Sequence, residues 1–249
     1  MKSALAALAL VVAGAACAKA DGRADGGVER SDGALLPDAG GGGTPRDAGT
    51  DAEPHGSANP VINEFVADHS GVDACEYVEI AGPPDSDLGR YTVLSVEGDS
   101  GGAGQVQAVI PVGTTSAAGF WVSPFMGDQL QNGSITLLLV TDFAGGTPDI
   151  DGDNDGVVDS DPWSEVIDAV AVADGGASDH TYAASAVLAR SYDGDTAQVA
   201  GASRIPDGTD TDQPADWVRN LDNGAGLTCE SGAAGHGTAQ NTPGETNHL

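Results

Sequence analysis

Glu76-Tyr-Val-Glu-Ile80 shows the alternation that assigns this chain to the β class. Successive side chains of a strand point to opposite faces, so Glu76, Val78 and Ile80 share one face while Tyr77 and Glu79 share the other. Glu79 is therefore expected to be partly buried and to need hydrogen-bond partners. The same geometry separates the carboxylates of Glu76 and Glu79, which argues against a paired acid and base of the glycosidase kind.

Similar short runs follow one another through residues 61–249. Clusters of Gly, Pro, Asp and Asn, such as Pro83-Pro84 and Asn132-Gly133, separate them and leave little room for a long helix. This spacing is typical of an all-β sandwich. The predicted strands are Val61 to Val66, Glu76 to Ile80, Tyr91 to Glu97, Val106 to Pro111, Phe120 to Val122, Ser134 to Val140, Val166 to Ala173, Ala186 to Arg190 and Trp217 to Val218.

The amino-terminal residues 1–17 predict an export signal. One basic residue, Lys2, precedes an apolar run that is too short to span a bilayer as a helix. Gly14-Ala15-Ala16-Cys17 resembles the lipobox of bacterial lipoproteins, and the resemblance implies lipidation of Cys17. Cleavage at the small residues Ala13-Gly14-Ala15 is the alternative.

Residues 18–59 predict a disordered linker. They are rich in Gly, Asp, Ala and Pro and contain hardly any residue that a core could bury. Such a segment cannot offset the entropy lost on ordering. The folded domain is therefore expected to be residues 60–249, held on a flexible tether.

The charge of the domain is strongly one-sided. Residues 61–249 contain four Arg, no Lys and 30 Asp and Glu, a formal charge of −26. Such a field repels nucleic acids and anionic membranes and attracts divalent cations, so direct nucleic-acid binding is disfavoured. Maintenance of solubility is the alternative explanation.

Two cysteines lie within the domain, Cys75 near its start and Cys229 near its end. An even pair in an exported chain favours a disulfide. Closing so long a loop would stabilise the fold by about 5 kcal/mol in the chain-entropy model. Two free thiols are the alternative.

Several motifs resemble the lamin tail domain. They are Val61-Ile-Asn-Glu-Phe65, Glu76-Tyr-Val-Glu-Ile80, Tyr91-Thr-Val-Leu94, and Asn241-Thr-Pro-Gly244 with Asn247, and the stretch Ala202 to Trp217 fits the later half of bacterial versions. The resemblance covers nearly all of residues 61–247. It implies an immunoglobulin-like β-sandwich that recurs in bacterial secreted proteins, often beside extracellular nucleases and phosphatases. It also implies an interaction or display role without catalytic residues.

An acidic loop at residues 149–161 interrupts this pattern and predicts a calcium site. Counted from Asp151, its residues match positions 1, 3, 5, 6, 7 and 9 of a calcium-binding loop, in which a glycine permits the sharp turn. Oxygen ligands without nearby His or Cys favour calcium over a transition metal. The predicted ligands are Asp151, Asp153, Asp155, the Val157 carbonyl, Asp159 and Asp161.

The loop departs from the standard pattern at position 12, where Pro162 replaces the bidentate glutamate. Asp161, Glu165 or Asp168 would have to complete the shell. A solvated acidic turn is the alternative, because Asp and Gly are also turn formers.

Other candidate chemistry is weaker. Gly98-Asp-Ser-Gly-Gly102 matches the serine pentapeptide of trypsin-like proteases, but no suitable histidine motif precedes it, so a turn after the third strand is expected. The histidines show no metal-ligand spacing, which disfavours zinc. Asp207, Asp210 and Asp212 are expected to form turns rather than a second cation site.

The sequence thus predicts a lipid-anchored β-sandwich at the outer membrane or cell surface of a bacterium, acting as a binding or structural module and not as an enzyme. A secreted or periplasmic location is the alternative. The alternative functions are a metal-dependent hydrolase of phosphodiesters or glycosides and an accessory subunit of an extracellular nuclease. The expected partner is a protein or another envelope or extracellular ligand, with membrane contact through the lipid anchor only.

Overall fold

The structure, a computed structural model, describes residues 59–71 and 73–249, and these residues form two five-stranded sheets. Nine of the ten strands were predicted, each within one residue at either end. The strands are β1 Val61–Val66, β2 Tyr77–Ala81, β3 Tyr91–Glu97, β4 Val106–Pro111, β5 Phe120–Val122, β6 Ile135–Thr141, β7 Glu165–Ala173, β8 Ala186–Ala189, β9 Gly201–Arg204 and β10 Trp217–Arg219.

The first sheet has the order β10-β9-β1-β2-β5 and the second has the order β4-β3-β6-β7-β8. Neighbouring strands are antiparallel, except that β7 and β8 run parallel. The only helix among the described residues is a 3-10 turn at Pro214–Asp216. The predicted all-β sandwich is therefore confirmed.

Strand β9 was not predicted, because Gly-Ala-Ser-Arg contains none of the β-branched or aromatic residues that mark strands. Its glycine is required by close packing against β1. A Cβ atom at Gly201 would lie 2.6 Å from the Phe65 carbonyl oxygen. The strand thus forms because its backbone fits beside β1 rather than because its side chains favour it.

The main core lies between the sheets. Phe65, Val78 and Ile80 of the first sheet belong to one apolar cluster with Leu137 and Val172 of the second. Tyr77 and Glu79 lie on the opposite face of β2, as the alternation predicted, and both are fully buried.

Each sheet is also covered on its outer face. Leu227, from the chain that follows β10, packs with Val66 and Tyr77 over the first sheet. Ile150, from the β6–β7 connection at residues 142–164, packs with Leu138 over the second. Because both faces are covered, β1, β2 and β6 are buried along their whole length.

The predicted disulfide between Cys75 and Cys229 is present and joins the β1–β2 connection to the chain after β10. The predicted signal at 1–17, Cys17 and the linker up to residue 58 lie outside the described residues. Across residues 59–71 and 73–249, no helix has the length and hydropathy needed to cross a bilayer.

Candidate functional site

The acidic loop is organised around the fully buried side chain of Asp151. Its Oδ1 accepts a hydrogen bond from Asp155 N at 3.1 Å, and its Oδ2 accepts bonds from Gly156 N at 2.8 Å and Tyr182 Oη at 2.9 Å. Asp149 Oδ1 in turn accepts a bond from Asp151 N. The loop is therefore anchored by its first predicted ligand and by a tyrosine from the β7–β8 connection.

Gly156 makes the sharp turn that its place in the sequence predicts. Its φ is +87°, and a Cβ atom there would lie 2.5 Å from His180 Nδ1. Side chains other than glycine are disfavoured in this conformation, and this position also leaves no room for one. The loop thus packs its backbone directly against the β7–β8 connection.

Three of the predicted ligands come together. One carboxylate oxygen from each of Asp151, Asp153 and Asp159 lies within 4.8 Å of the other two. Gly152 N donates to Asp159 Oδ2 at 2.9 Å, which holds the far side of the loop against its start. The three carboxylates are therefore close enough for one cation to contact an oxygen of each.

The remaining predicted ligands are not in this group. Asp155 Oδ1 accepts a hydrogen bond from Val157 N at 2.9 Å, and the Val157 side chain is 62 % exposed. Asp161 is exposed, and Glu165 is exposed at the start of β7. Asp168 lies inside the sandwich, paired with a buried arginine, so it does not complete the shell as the sequence had suggested.

Electrostatics distinguish the members of the cluster. Burial opposes ionisation of Asp151, but its hydrogen bonds from Gly156, Tyr182 and Asp155 outweigh burial and lower its pKa. The charge of Asp155 is the largest cause that raises the pKa of Asp153, and the charges of Asp159 and Asp151 add to it. The loop therefore crowds negative charge that a cation would neutralise.

A second acidic group lies in the neighbouring connections. Carboxylate oxygens of Asp99, Asp174 and Asp179 lie within 4.8 Å of one another, and the Ser134 hydroxyl lies 2.9 Å from Asp179 Oδ2. Sequence reasoning missed this group, because Asp99 is far from Asp174 and Asp179 in the chain and each of the three is typical of a turn. Asp99 belongs to Gly98-Asp-Ser-Gly-Gly102, which is confirmed as the turn between β3 and β4.

The outer face of the first sheet carries a different kind of polar group, a buried network centred on Glu64. Glu64 Oε1 accepts hydrogen bonds from Ser203 Oγ at 2.8 Å, Asn220 Nδ2 at 2.9 Å and Thr242 N at 3.1 Å. The three donors come from β9, from just after β10 and from the end of the chain. Glu64 thus joins three segments that are distant in sequence.

Glu79 extends this network along β2. Its Oε1 accepts a hydrogen bond from Asn63 Nδ2 at 2.8 Å, and its Oε2 accepts one from Gly244 N at 2.6 Å. Asn63 Nδ2 also donates to Asp207 Oδ1 at 3.0 Å, and Asn63 Oδ1 accepts from Gly208 N. The expected hydrogen-bond partners of Glu79 are therefore present.

The closing turn, residues 241–247, completes the network. Asn247 Nδ2 donates to the carbonyl oxygens of Asn63 and Arg204, and Thr242 Oγ1 donates to Asn247 Oδ1 at 2.6 Å. Asn220 Nδ2 also donates to Asn241 Oδ1. The turn is thus fastened to β1 and β9 by side chains that are buried from solvent.

The pKa values of two carboxyl groups in the network are raised. Burial raises the pKa of Glu64 although its hydrogen bonds oppose the shift. Burial also raises the pKa of Glu79 well above its usual value, and the charge of Glu64 raises it further. The network is enclosed, so its chemistry serves the fold rather than an open pocket.

The arginines of the described residues all have acidic neighbours. Arg204 of β9 and Asp168 of β7 form a buried pair that joins the sheets, with Arg204 Nη2 3.1 Å from both carboxylate oxygens. Arg204 also stacks on Trp217, 4.5 Å from the ring centroid.

The other three described arginines also lie beside aspartates. Arg219 is buried and pairs with Asp193. Arg90 and Arg190 lie nearer the surface, beside acidic residues. Most of the other acidic residues are exposed or half-buried.

The three aspartates that the sequence places in turns near residue 210 lie in different surroundings. Asp207 belongs to the buried network, Asp210 Oδ1 lies 3.1 Å from Arg204 Nη1, and Asp212 is exposed with a φ of +58°. Asp212 N donates to Asp210 Oδ1 in the manner of an aspartate turn.

Comparison of the chain with protein-family models, with curated proteins and with solved structures gives no match.

Proposed function

We propose that this chain is an exported, lipid-anchored module of a bacterial cell envelope, whose β-sandwich binds or supports a partner and whose acidic loop binds calcium. The partner is a protein or another envelope or extracellular ligand, and the domain itself performs no catalysis. Its acidic surface disfavours direct binding to nucleic acid. Its contact with the membrane is through a lipid on Cys17, outside the described residues.

A lamin-tail-like, immunoglobulin-like sandwich is part of this proposal. The motifs that carry the resemblance contact one another, because Asn63 and Glu64 from the first motif and Glu79 from the second hydrogen bond to the closing turn. Motif residues that fasten the two ends of a domain together have a structural role. They support a display or binding module better than a catalytic one.

The observation that carries the calcium site is the convergence of Asp151, Asp153 and Asp159 in a loop that is already held in place. Three carboxylate oxygens without nitrogen or sulfur ligands suit a hard cation such as calcium. The Val157 carbonyl is a further candidate ligand. Asp155 Oδ1 accepts from Val157 N, so Oδ2 is the Asp155 oxygen that remains for the shell.

Thermal melts test the calcium site. At the millimolar to submillimolar affinity of extracellular modules, about 10 mM calcium should stabilise one such site enough to raise Tm by roughly 3 to 10 °C relative to EDTA. Asp153→Asn should lose this part of the response because it removes one converging carboxylate. Asp161→Asn is the matched control, since Asp161 lies outside the cluster, and should respond like the wild type. If calcium raises the Tm of the two variants equally, the loop does not bind calcium.

Mass spectrometry of the mature amino terminus tests the anchor. A chain that begins at Cys17 with the mass of attached acyl groups supports the lipoprotein. A chain that begins after Ala15 without added mass identifies a secreted or periplasmic protein instead.

A further inference from the structure

Two enclosed carboxylates lie in the β1–β2 connection, away from the acidic loop. Glu76, immediately before β2, is 0 % exposed, and its Oε2 accepts hydrogen bonds from Gln129 N at 2.7 Å and Leu130 N at 2.9 Å. Its Oε1 is equally enclosed but has no hydrogen-bond partner. A buried carboxylate oxygen without a partner is costly, so it requires an explanation.

The Asp73 carboxyl lies close enough to Glu76 for the two side chains to share a hydrogen bond when one of them is protonated. Both of its oxygens are enclosed, and neither has a hydrogen-bond partner. Burial raises the pKa of Glu76, and the charge of Asp73 raises it further. When both groups are ionised neither has a proton to donate, so three oxygens remain unsatisfied.

No side-chain cation in the described residues fills this gap. His69 Nε2 lies 3.9 Å from Asp73 Oδ1, but it is also 3.4 Å from Ala74 N, from which it accepts a hydrogen bond. Its Nδ1 lies 3.3 Å from the Ser70 carbonyl oxygen. An Nε2 that accepts from Ala74 N has no proton to donate to Asp73. The four arginines pair with other aspartates.

We propose that Asp73 and Glu76 bind a divalent cation of the calcium class, with Asp73 bidentate and Glu76 contributing Oε1. A carboxylate that binds through both oxygens is common for calcium. A shared proton would form one hydrogen bond and leave the other Asp73 oxygen unsatisfied, whereas a cation engages all three oxygens. All three are hard ligands, which favours calcium over a transition metal.

Such a cation would fasten three segments together. Glu76 pairs with Met126 through a backbone bridge and holds the backbone of Gln129, so it already contacts the β5–β6 connection. Its neighbour Cys75 is bonded to Cys229 in the chain after β10. The cation and the disulfide would therefore act side by side at one junction, and the cation would be independent of the acidic loop.

The test uses the full chain in an Asp153→Asn background, which removes the proposed loop site. This variant should bind one calcium ion per chain in equilibrium dialysis, and about 10 mM calcium should raise its Tm by roughly 3 to 10 °C relative to EDTA. Adding Glu76→Gln should abolish both effects. Because the new amide donates to Asp73, this double variant should melt in EDTA at or above the Tm of its parent.

Two further variants keep the result interpretable. Asp73→Asn should abolish the same binding, and it replaces Glu76→Gln if that protein does not fold. Glu165→Gln changes an exposed glutamate and should leave binding intact. The proposal is overturned if Asp153→Asn binds no calcium. It is equally overturned if calcium has no effect on that protein while its Tm in EDTA falls more steeply with rising pH than the Tm of the double variant with Glu76→Gln, because the two carboxyls then share a proton. The loop site is judged separately, by comparing Asp153→Asn with the wild type.

Discussion

The outer face of the first sheet is covered by hydrogen bonds to buried carboxylates as well as by the apolar contact of Leu227, whereas the outer face of the second is covered mainly by apolar contact. On the first, Glu64 and Glu79 receive backbone and side-chain donors from the closing turn. On the second, Ile150 of the β6–β7 connection packs into a cluster with Leu138 and Tyr182. Each cover buries strands that would otherwise be half exposed.

The two covers should differ in how well they tolerate amino-acid substitution. A buried carboxylate with several donors stabilises one arrangement only, because every donor that loses it becomes an unsatisfied buried group. An apolar contact has no required direction, so its loss costs burial and leaves a cavity but orphans no donor. We therefore expect the first cover to be the more sensitive to single substitutions and the second to tolerate sequence change, including the acidic loop beside it.

Removal of Glu64 should have the largest effect. Glu64→Ala leaves Thr242 N and one Asn220 Nδ2 hydrogen without an acceptor, while Ser203 Oγ keeps Asn220 Oδ1. Each buried orphan costs about 1–3 kcal/mol and the deleted side chain leaves a cavity, so we expect a loss of about 4–5 kcal/mol in the free energy of unfolding. Urea denaturation measures it. Glu165→Ala, at an exposed position of β7, should change the value by less than about 0.5 kcal/mol. Similar losses in the two variants would contradict the polar cover.

Removal of the apolar anchor should have an intermediate effect. Ile150→Ala creates a cavity beneath the β6–β7 connection and should lower the free energy of unfolding by about 3 kcal/mol. Val157→Ala, at an exposed position of the same connection, should be nearly neutral. If the two substitutions cost the same, the connection does not contribute to the core.

The smallest expected effect is on the pH dependence of stability. Glu79 has a folded-state pKa well above its usual value of 4.5, so its contribution is fully present below that value and is lost as pH rises through the folded-state pKa. Urea denaturation in EDTA between about pH 4 and 8 should show the wild type losing up to about 1.4 kcal/mol per pH unit relative to Glu79→Gln. The variant should be less stable at low pH, because Asn63 Nδ2 or Gly244 N then loses its acceptor. Parallel curves would show that Glu79 does not titrate in this range.

The two covers also differ in how far the sequence predicts them. Alternating apolar residues predicted nine strands, because burial between sheets leaves a local pattern. A glutamate inside the apolar run Val61–Val66 indicates that a partner must exist but does not say which one. The partners of Glu64 come from Ser203, Asn220 and Thr242, and no local rule relates those positions.

The candidate cation sites, too, could be predicted only in part from the sequence. The spacing of the acidic loop predicted that Asp151, Asp153 and Asp159 would converge. It did not predict that Asp155 would turn to Val157 N, because that choice depends on local backbone shape. The pairing of Asp168 with Arg204 was also hidden, since a strand pattern gives the face of a residue but not its partner on the other sheet.

The bond between Thr242 and Glu64 spans 178 positions of the chain. Because a chain is synthesised from its amino terminus, Glu64 is made long before Thr242, whose backbone N–H donates a hydrogen bond to it. Without the closing turn, the outer face of the first sheet lacks the donors Thr242 N and Gly244 N. Removal of the closing turn should therefore leave Glu64 and Glu79 without these donors and destabilise the first sheet.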